Sequence, residues 1–227
     1  MFQLKIWALG AVIAFATTTG SAQAAYYIEG TGGTGDAGEL LGTFQNTTGV
    51  GAFQGIIGRL ALNPAHVDLY RIYATGGAFL ASTNGGASFD TQLFLFDSTG
   101  MGVIGNDDIT GSNLQSSFST TLTAGIYYIG ISAFNNDPLS SGGLIFTNNF
   151  PGVQTPTGPG AAFALSGWTG GSAGTGFGGE YTINIRGGDF GDSVNPTPAP
   201  AGVVLFGLGF AGLGMFRSFR KGLKVTA

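Results

Sequence analysis

Five carboxylate and amide side chains flank the most apolar stretch of the sequence. They are Asp90, Asp97, Asn106, Asp107 and Asp108. Such oxygens are the ligands that hard divalent cations prefer, and calcium takes about six to eight of them. The sequence therefore predicts a calcium site on the loops beside this stretch. A second interpretation stays open, in which these residues only form turns and blunt strand edges.

The spacing of these acids does not match a helix–loop–helix calcium site. A loop counted from Asp107 or Asp108 lacks the central Gly and the final Glu of such sites. Zinc sites built from Cys or from several His are excluded, because the chain has no Cys and one His. No cofactor is required, and calcium is the one that the sequence suggests.

The segments that would position these acids have the pattern of short β-strands. Apolar residues alternate with polar ones in runs that Asp, Asn or Gly close, which is typical of half-buried strands joined by turns. Residues 93–96 read Leu-Phe-Leu-Phe, so we expect a central strand that is covered on both faces. No segment between the two ends has a 3.6-residue apolar period. We predict an all-β chain with a jelly-roll-like antiparallel β-sandwich over residues 25–192.

Catalytic residues are not evident in the sequence. A Ser or Thr nucleophile needs a base, and the only imidazole is His66, which lies in a Pro turn where we expect a solvated side chain. The region between the two ends has twelve acids and three arginines, a net charge of −9. A field of that sign repels phosphate backbones. The sequence predicts a protein that is neither an enzyme nor a partner of nucleic acid.

Two aromatic residues near the end of this region allow another interpretation. Trp168 and Tyr181 flank a Gly-rich segment, residues 170–179, where exposed rings would stack on sugars. Rings of this kind also close the apolar core of a sandwich. The sequence leaves both alternatives open.

The N-terminal segment is typical of a secretory signal peptide. Lys5 precedes an apolar run over residues 6–16, and Ala22-Gln23-Ala24 forms a small-x-small cleavage pattern. We expect a signal helix over residues 1–24 that the export translocon and signal peptidase handle. Because exported proteins often use disulfides and this chain has no Cys, its core and bound ions would carry its stability.

The C-terminal segment has three parts. Residues 193–200 are Pro-rich, residues 201–216 form an uncharged run, and residues 217–227 form a basic tail with Arg217, Arg220 and Lys221. A helix over the uncharged run spans about 24 Å, shorter than the ~30 Å hydrocarbon core. We expect a minimal single transmembrane helix whose basic tail stays cytoplasmic. A permanent anchor with a Pro-rich linker is the alternative to a processed signal.

This layout resembles the PEP-CTERM sorting signal of exported proteins in Gram-negative bacteria. The resemblance implies recognition by an exosortase, a membrane-embedded transpeptidase that cleaves near the proline motif. The motif here is Pro196-Thr197-Pro198, with Thr in the place of the acidic residue. The inner membrane would then be a transient location, and the cell surface or extracellular matrix the destination.

The body resembles the bacterial pre-peptidase C-terminal domain over residues 54–134. The similarity lies in residues 67–70, 89–93, 106–108 and 124–129. It implies an eight-stranded jelly-roll-like sandwich, a fold whose relatives bind calcium or matrix polymers. We expect an exported, non-enzymatic surface or matrix protein. The alternative is a calcium-dependent or carbohydrate-binding adhesin module that holds extracellular polysaccharide.

Overall fold

The computed structural model of the chain describes residues 23–63, 65–147, 151–171 and 178–193. Within these ranges the chain forms β-strands and one 3-10 turn at Thr31–Gly33. The strands are β1 (Ala24–Ile28), β2 (Gln45–Asn46), β3 (Ala52–Leu60), β4 (Val67–Ala74), β5 (Gly77–Ser82), β6 (Thr91–Asp97), β7 (Gly102–Asn106), β8 (Ser117–Leu122), β9 (Gly125–Ala133), β10 (Pro138–Ser140), β11 (Gly143–Leu144), β12 (Val153–Gln154), β13 (Leu165–Trp168), β14 (Gly179–Arg186) and β15 (Gly188–Phe190). The predicted all-β class is confirmed.

The predicted signal helix falls almost entirely outside the described residues, and the predicted transmembrane helix falls wholly outside them. Among the described residues, no helix has the length and apolar character needed to cross a bilayer.

The strands form two large sheets and one small sheet. The five-stranded sheet has the order β1-β3-β14-β5-β8, and the seven-stranded sheet has the order β12-β7-β6-β9-β4-β15 with β2 paired to β4. The small sheet has the order β11-β10-β13. The expectation of a purely antiparallel fold needs correction, because β1 runs parallel to β3 and β2 runs parallel to β4. The sheets are therefore mixed.

The main core lies between the two large sheets. Residues such as Ile56 and Ile183 reach it from the five-stranded sheet, and Leu93, Leu95 and Ile129 reach it from the seven-stranded sheet. All five side chains are fully buried. Shared burial of two inner faces is the arrangement of a β-sandwich.

A second apolar cluster covers the outer face of the seven-stranded sheet. Phe94 and Phe96 of β6 pack there with Phe146, Leu165 and Trp168, which come from the later part of the chain. Strand β6 therefore has both faces buried and lies between β7 and β9. The predicted central strand is confirmed.

Candidate cation site

The turns at one end of β6 and β7 bring three acids together. Asp90 comes directly before β6, and Asp107 and Asp108 come directly after β7. The two strands are antiparallel neighbours with Leu93 opposite Asn106, so the start of one meets the end of the other. One carboxylate oxygen from each of the three acids lies within 4.8 Å of the others. Oxygens bound to one calcium ion at 2.3–2.6 Å lie at most about 5 Å apart, so this spacing suits that ion.

Asn106 stabilises the loop after β7, and its side-chain oxygen is already hydrogen-bonded. Its Nδ2 donates to the carbonyl of Asp108 at 2.9 Å, and its Oδ1 accepts the N–H of Ser117 at 2.7 Å. Ser116 Oγ donates to the carbonyl of Asp107 at 2.8 Å. These bonds fix the backbone of both acids. We therefore assign Asn106 to the scaffold of the loop and leave the ligand set to the carboxylates.

The three carboxylates are buried without compensation. Asp107 and Asp108 are each 1% exposed, and Asp90 is half-buried. Both oxygens of Asp107 and one oxygen each of Asp90 and Asp108 have no hydrogen-bond partner among the described residues. The salt bridges found within the described ranges all involve His66, which lies elsewhere. A buried charge without a partner costs several kcal/mol, on the order of a domain's whole stability.

Burial and mutual repulsion make the carboxyl groups of this cluster harder to ionise. Burial, followed by the charges of Asp108, Asp90 and Asp137, raises the pKa of Asp107 to about 7. Burial and the charge of Asp108 raise the pKa of Asp90 to about 6. Burial also raises the pKa of Asp108. A divalent cation would offset both effects by supplying positive charge next to the carboxylates.

A fourth acid lies near the cluster. Asp137 follows β9, and burial raises its pKa while a hydrogen bond from Gln92 Nε2 at 3.1 Å opposes that rise. The Gln92 side chain is fully buried on β6, and its Oε1 accepts from the Asn136 N–H at 3.0 Å. The amide of Gln92 thus ties the turn after β9 to the strand that follows Asp90. Neither residue was predicted as part of a site, since the two come from segments far apart in the chain.

Asp97 is not brought to the cluster. It ends β6, about 23 Å along the strand from Asp90 at 3.3 Å per residue. Its Oδ1 accepts from Thr99 N–H at 2.8 Å, Thr99 Oγ1 at 2.6 Å and Met101 N–H at 3.0 Å. The side chain therefore organises the turn between β6 and β7, which is the turn-forming role that the sequence left open.

The two aromatic candidates lie on different sides of the seven-stranded sheet. Trp168 belongs to the outer cluster, packs on Phe94 and Phe96, and donates its indole N–H to the carbonyl of Glu39 at 2.9 Å. Tyr181 belongs to the main core and is 1% exposed. The two rings do not form a common platform, and Tyr181 offers no face to a sugar.

The residues of the sorting signal fall outside the described residues. These are Pro196, Thr197 and Pro198 of the motif and Arg217, Arg220 and Lys221 of the basic tail.

A second acidic group, which the sequence analysis did not detect, surrounds His66. Its Nε2 lies 2.8 Å from Asp36 Oδ2, and its Nδ1 lies 3.6 Å from Asp68 Oδ1. The N–H of Ala61 donates to Nδ1 at 3.3 Å, so Nδ1 is the acceptor and Nε2 carries the hydrogen donated to Asp36. The side chain is only 14% exposed, so the expectation of a solvated histidine is wrong. One ring nitrogen and one oxygen from each carboxylate lie within 4.8 Å of one another, so this group also has the spacing of metal ligands.

Asp68 of this group is fully buried on the core face of β4. Its Oδ2 accepts the hydroxyl of Tyr181 at 2.6 Å, and that hydroxyl lies 2.6 Å from the hydroxyl of Tyr70. Burial, followed by the charges of Glu29, Asp36 and Glu39, raises the pKa of Asp68 to about 9. A pKa this high keeps the carboxyl group protonated at neutral pH, and its Oδ1 lies 3.6 Å from His66 Nδ1, which is beyond hydrogen-bond distance. Its Oδ1 has no hydrogen-bond partner among the described residues, so the proton and the Tyr181 hydroxyl are what compensate the burial of this carboxyl group.

The first acid group is the one whose geometry calls for a ligand. Its signal in the sequence was the run Asn106-Asp107-Asp108 after a strand, paired with an acid before the neighbouring strand. The second group had a weaker signal, an acid that alternates onto the same face as Tyr70 and Ile72. No family model matches the chain, and no curated protein or solved structure is significantly similar to it.

Proposed function

We propose that this chain is a non-enzymatic calcium-binding module of an exported surface or matrix protein. The observation that carries the proposal is the set of four buried carboxylate oxygens on Asp90, Asp107 and Asp108 that lack hydrogen-bond donors. Ionised carboxylates in such a position need a cation. The ligand set contains only oxygen, which favours calcium over zinc.

Calcium fits this cluster better than magnesium does. Magnesium demands near-octahedral geometry at about 2.0–2.1 Å and keeps several of its waters. The carboxylates come from two separate turns and lie within 4.8 Å of one another. Side chains that donate to the backbone carbonyls of Asp107 and Asp108 hold these two residues in place. A larger ion with flexible coordination can use this set, together with water and the nearby Asp137.

Isothermal titration calorimetry with calcium chloride on the chelator-treated protein tests the proposal. We expect one calcium ion per chain, and loss of affinity by more than about 100-fold in Asp107→Asn, since even outer-shell changes cost roughly 10- to 100-fold. Asp97→Asn is the matched control, because it makes the same change on a turn outside the cluster. Absence of binding to the wild type, or equal loss in both variants, would refute the site.

A second candidate function concerns export and sorting, and the terminal segments of the sequence favour it. The signal-peptide pattern, the motif Pro196-Thr197-Pro198, the short apolar run and the basic tail support delivery across the inner membrane and processing by an exosortase-like transpeptidase. The two candidates are compatible. The calcium module would then work at the surface or in the polysaccharide matrix, as a structural protein or as an adhesin.

Intact mass and cell fractionation of the native protein test this second candidate. A mature species that begins at Ala25, ends between Pro196 and Pro200 and lies outside the inner membrane would support sorting. A species that keeps its tail and remains with the inner membrane would mean a tethered protein instead. We also propose that the fold has jelly-roll-like connectivity and that the body is related to pre-peptidase C-terminal domains.

Sugar binding through Trp168 and Tyr181 has little support from the geometry, since one ring packs on Phe94 and Phe96 and the other lies in the core. If the module binds polysaccharide, another surface or the bound ion would provide the contact. A glycan array with the Trp168→Ala variant separates these alternatives. Binding that survives this variant but is lost on chelation would assign the contact to the cation site.

A further inference from the structure

Strand β8 forms an edge of the five-stranded sheet. It pairs with β5 on one side, and within the described ranges no strand pairs with its other side. The N–H of Thr83 donates to the carbonyl of Ser116 at 2.9 Å, which fixes the alternation of the ladder. In an antiparallel pair every second residue then directs its backbone N–H and C=O away from the partner. On β8 these residues are Ser117, Ser119 and Thr121.

The outward backbone groups differ in what they contact. Asn106 Oδ1 accepts the N–H of Ser117 at 2.7 Å, so this donor is satisfied within the chain. Ser119 and Thr121 lie farther along the strand and are both exposed. Their N–H and C=O groups form a short template onto which another strand can pair.

The other three edges of the large sheets carry features that discourage such pairing, whereas β8 does not. Strands β12 and β15 have only two and three residues. Strand β1 has an irregular register between Ala25 and Tyr26 and is followed by Glu29. Strand β8 has six residues in unbroken register, with no charged residue and no proline. Proteins usually protect an edge of this kind or use it.

The distribution of charge indicates which partner can pair with this edge. The body of the chain is strongly acidic, so two copies repel each other over most of their surface. However, residues 69–89 and 109–136, which include β5 and β8, contain no acid. The next strand, β14, ends in the exposed Arg186. Strand β8 begins beside Asn106 and Asp107, but its outward residues Ser119 and Thr121 lie farther along, where a second copy can approach with less repulsion.

We propose that β8 pairs antiparallel with β8 of a second copy of the chain, which joins the two five-stranded sheets into one continuous sheet. A two-fold pairing with Thr120 opposite Thr120 places the outward residues Ser119 and Thr121 opposite one another, and no like charges meet. Cross-strand Thr and Ser pairs stabilise antiparallel ladders. This inference is independent of calcium binding and of sorting.

Sedimentation velocity on the purified full-length chain tests the pairing with two variants at one position. Ser119→Pro removes an outward N–H and leaves every β5–β8 hydrogen bond in place, since proline is tolerated on an edge strand. Ser119→Ala is the control, because it shortens the same side chain and keeps the N–H. We expect concentration-dependent dimers of wild type and Ser119→Ala, and a monomer of Ser119→Pro with an unchanged melting temperature.

Hydrogen exchange on the wild type gives an answer even if the proline variant fails to fold. The amides of Ser119 and Thr121 should exchange quickly in dilute protein and slow down as the concentration rises. The amide of Arg59, which donates to Glu29 Oε2 at 2.8 Å within one chain, should not respond. A wild type that stays monomeric at every concentration, with equally fast exchange at Ser119, would overturn the proposal and leave this edge to a different partner.

Discussion

The two acidic groups show two solutions to one problem, the burial of carboxylates in a protein whose body has twelve acids and three arginines. Asp68 Oδ2 accepts the Tyr181 hydroxyl, while its Oδ1 lies 3.6 Å from His66 Nδ1 without a hydrogen bond. Asp107 is equally buried, yet neither of its oxygens has a donor within the described chain. The Asp68 group can remain neutral by keeping a proton.

This difference indicates what each group needs in order to function. A protonated carboxyl group that is hydrogen-bonded is stable without any ligand, but the stability of the protein then depends on pH. Carboxylates that face one another across a few ångströms without donors gain most from a divalent cation. The cluster of Asp90, Asp107 and Asp108 has four unpartnered carboxylate oxygens and the His66 group has one, which favours the former as the proposed cation site.

Calcium should stabilise the protein strongly, and through only one of the two groups. At a free calcium concentration about 1,000 times Kd, binding adds roughly 4 kcal/mol to the free energy of unfolding. Asp107→Asn should abolish that gain, whereas Asp68→Asn should retain it, because Asp68 lies in the other group. Chemical denaturation with calcium and with chelator measures both. An equal calcium response in the two variants would contradict the assignment.

Removing one hydroxyl from the second group should be the next largest effect. Tyr181→Phe deprives Asp68 Oδ2 of its donor and leaves the Tyr70 hydroxyl without its partner at 2.6 Å. Unsatisfied buried polar groups cost about 1–3 kcal/mol each, so we expect a loss of roughly 2–3 kcal/mol. Tyr26→Phe is the control, since it removes a hydroxyl bond to Asn184 on an exposed residue and should cost less than about 0.5 kcal/mol.

Urea denaturation at neutral pH, with calcium held constant, compares the two tyrosine variants. If both lose the same stability, the Asp68 network contributes no more than a surface hydrogen bond. Calcium affinity should be unchanged in both variants.

The pH dependence of stability should separate the two groups further. The pKa of Asp68 is about 9 in the folded protein and 3.8 as the reference value, so the folded state binds a proton more tightly. Its contribution to stability is then fully present below the unfolded pKa and is lost as pH rises from about 4 to 9. For one proton the slope reaches about 1.4 kcal/mol per pH unit. Asp68→Asn, which keeps an acceptor for Tyr181, should remove this slope.

Unfolding measured from pH 5 to 9 in saturating calcium provides the comparison. The difference between wild type and Asp68→Asn isolates this group, because the other acids are common to both proteins. The variant should be at least as stable as wild type at pH 8. A difference that stays constant over the whole range would show that Asp68 does not change its protonation there.

Alternation of apolar and polar residues made the fold class predictable, and a run of consecutive apolar residues made the central strand predictable. Leu93 to Phe96 are apolar at consecutive positions, and the structure buries both faces of that strand. The mixed sheets were not predictable, because β1 and β2 are short strands whose parallel partners lie elsewhere in the chain. Local patterns specify which residues face the core, but they do not specify the direction of a distant neighbour.

The candidate site was predictable in part for the same reason. Asp90, Asp107 and Asp108 were found because each lies at the end of an identifiable strand, and adjacent strands bring their ends together. Asp137 and Gln92 meet only through the pairing of β6 with β9 and the turn that follows it. The pairing of His66 with Asp36 depends on how the segment before β2 folds over the sheet. No local sequence pattern predicts that arrangement.

Substitution of Asp97 should have the smallest effect on stability. Asp97 is also a good internal control, because it flanks the same apolar stretch but its side chain bonds its own turn. Asp97→Ala removes three acceptor contacts, from Thr99 N–H, Thr99 Oγ1 and Met101 N–H. Side chains that bond their own turn contribute about 1 kcal/mol, as capping residues do. We expect the unfolding free energy to fall by that amount and calcium affinity to stay within about twofold. A large loss of calcium affinity would mean that the ion senses both ends of β6, and the site would then extend beyond one pair of turns.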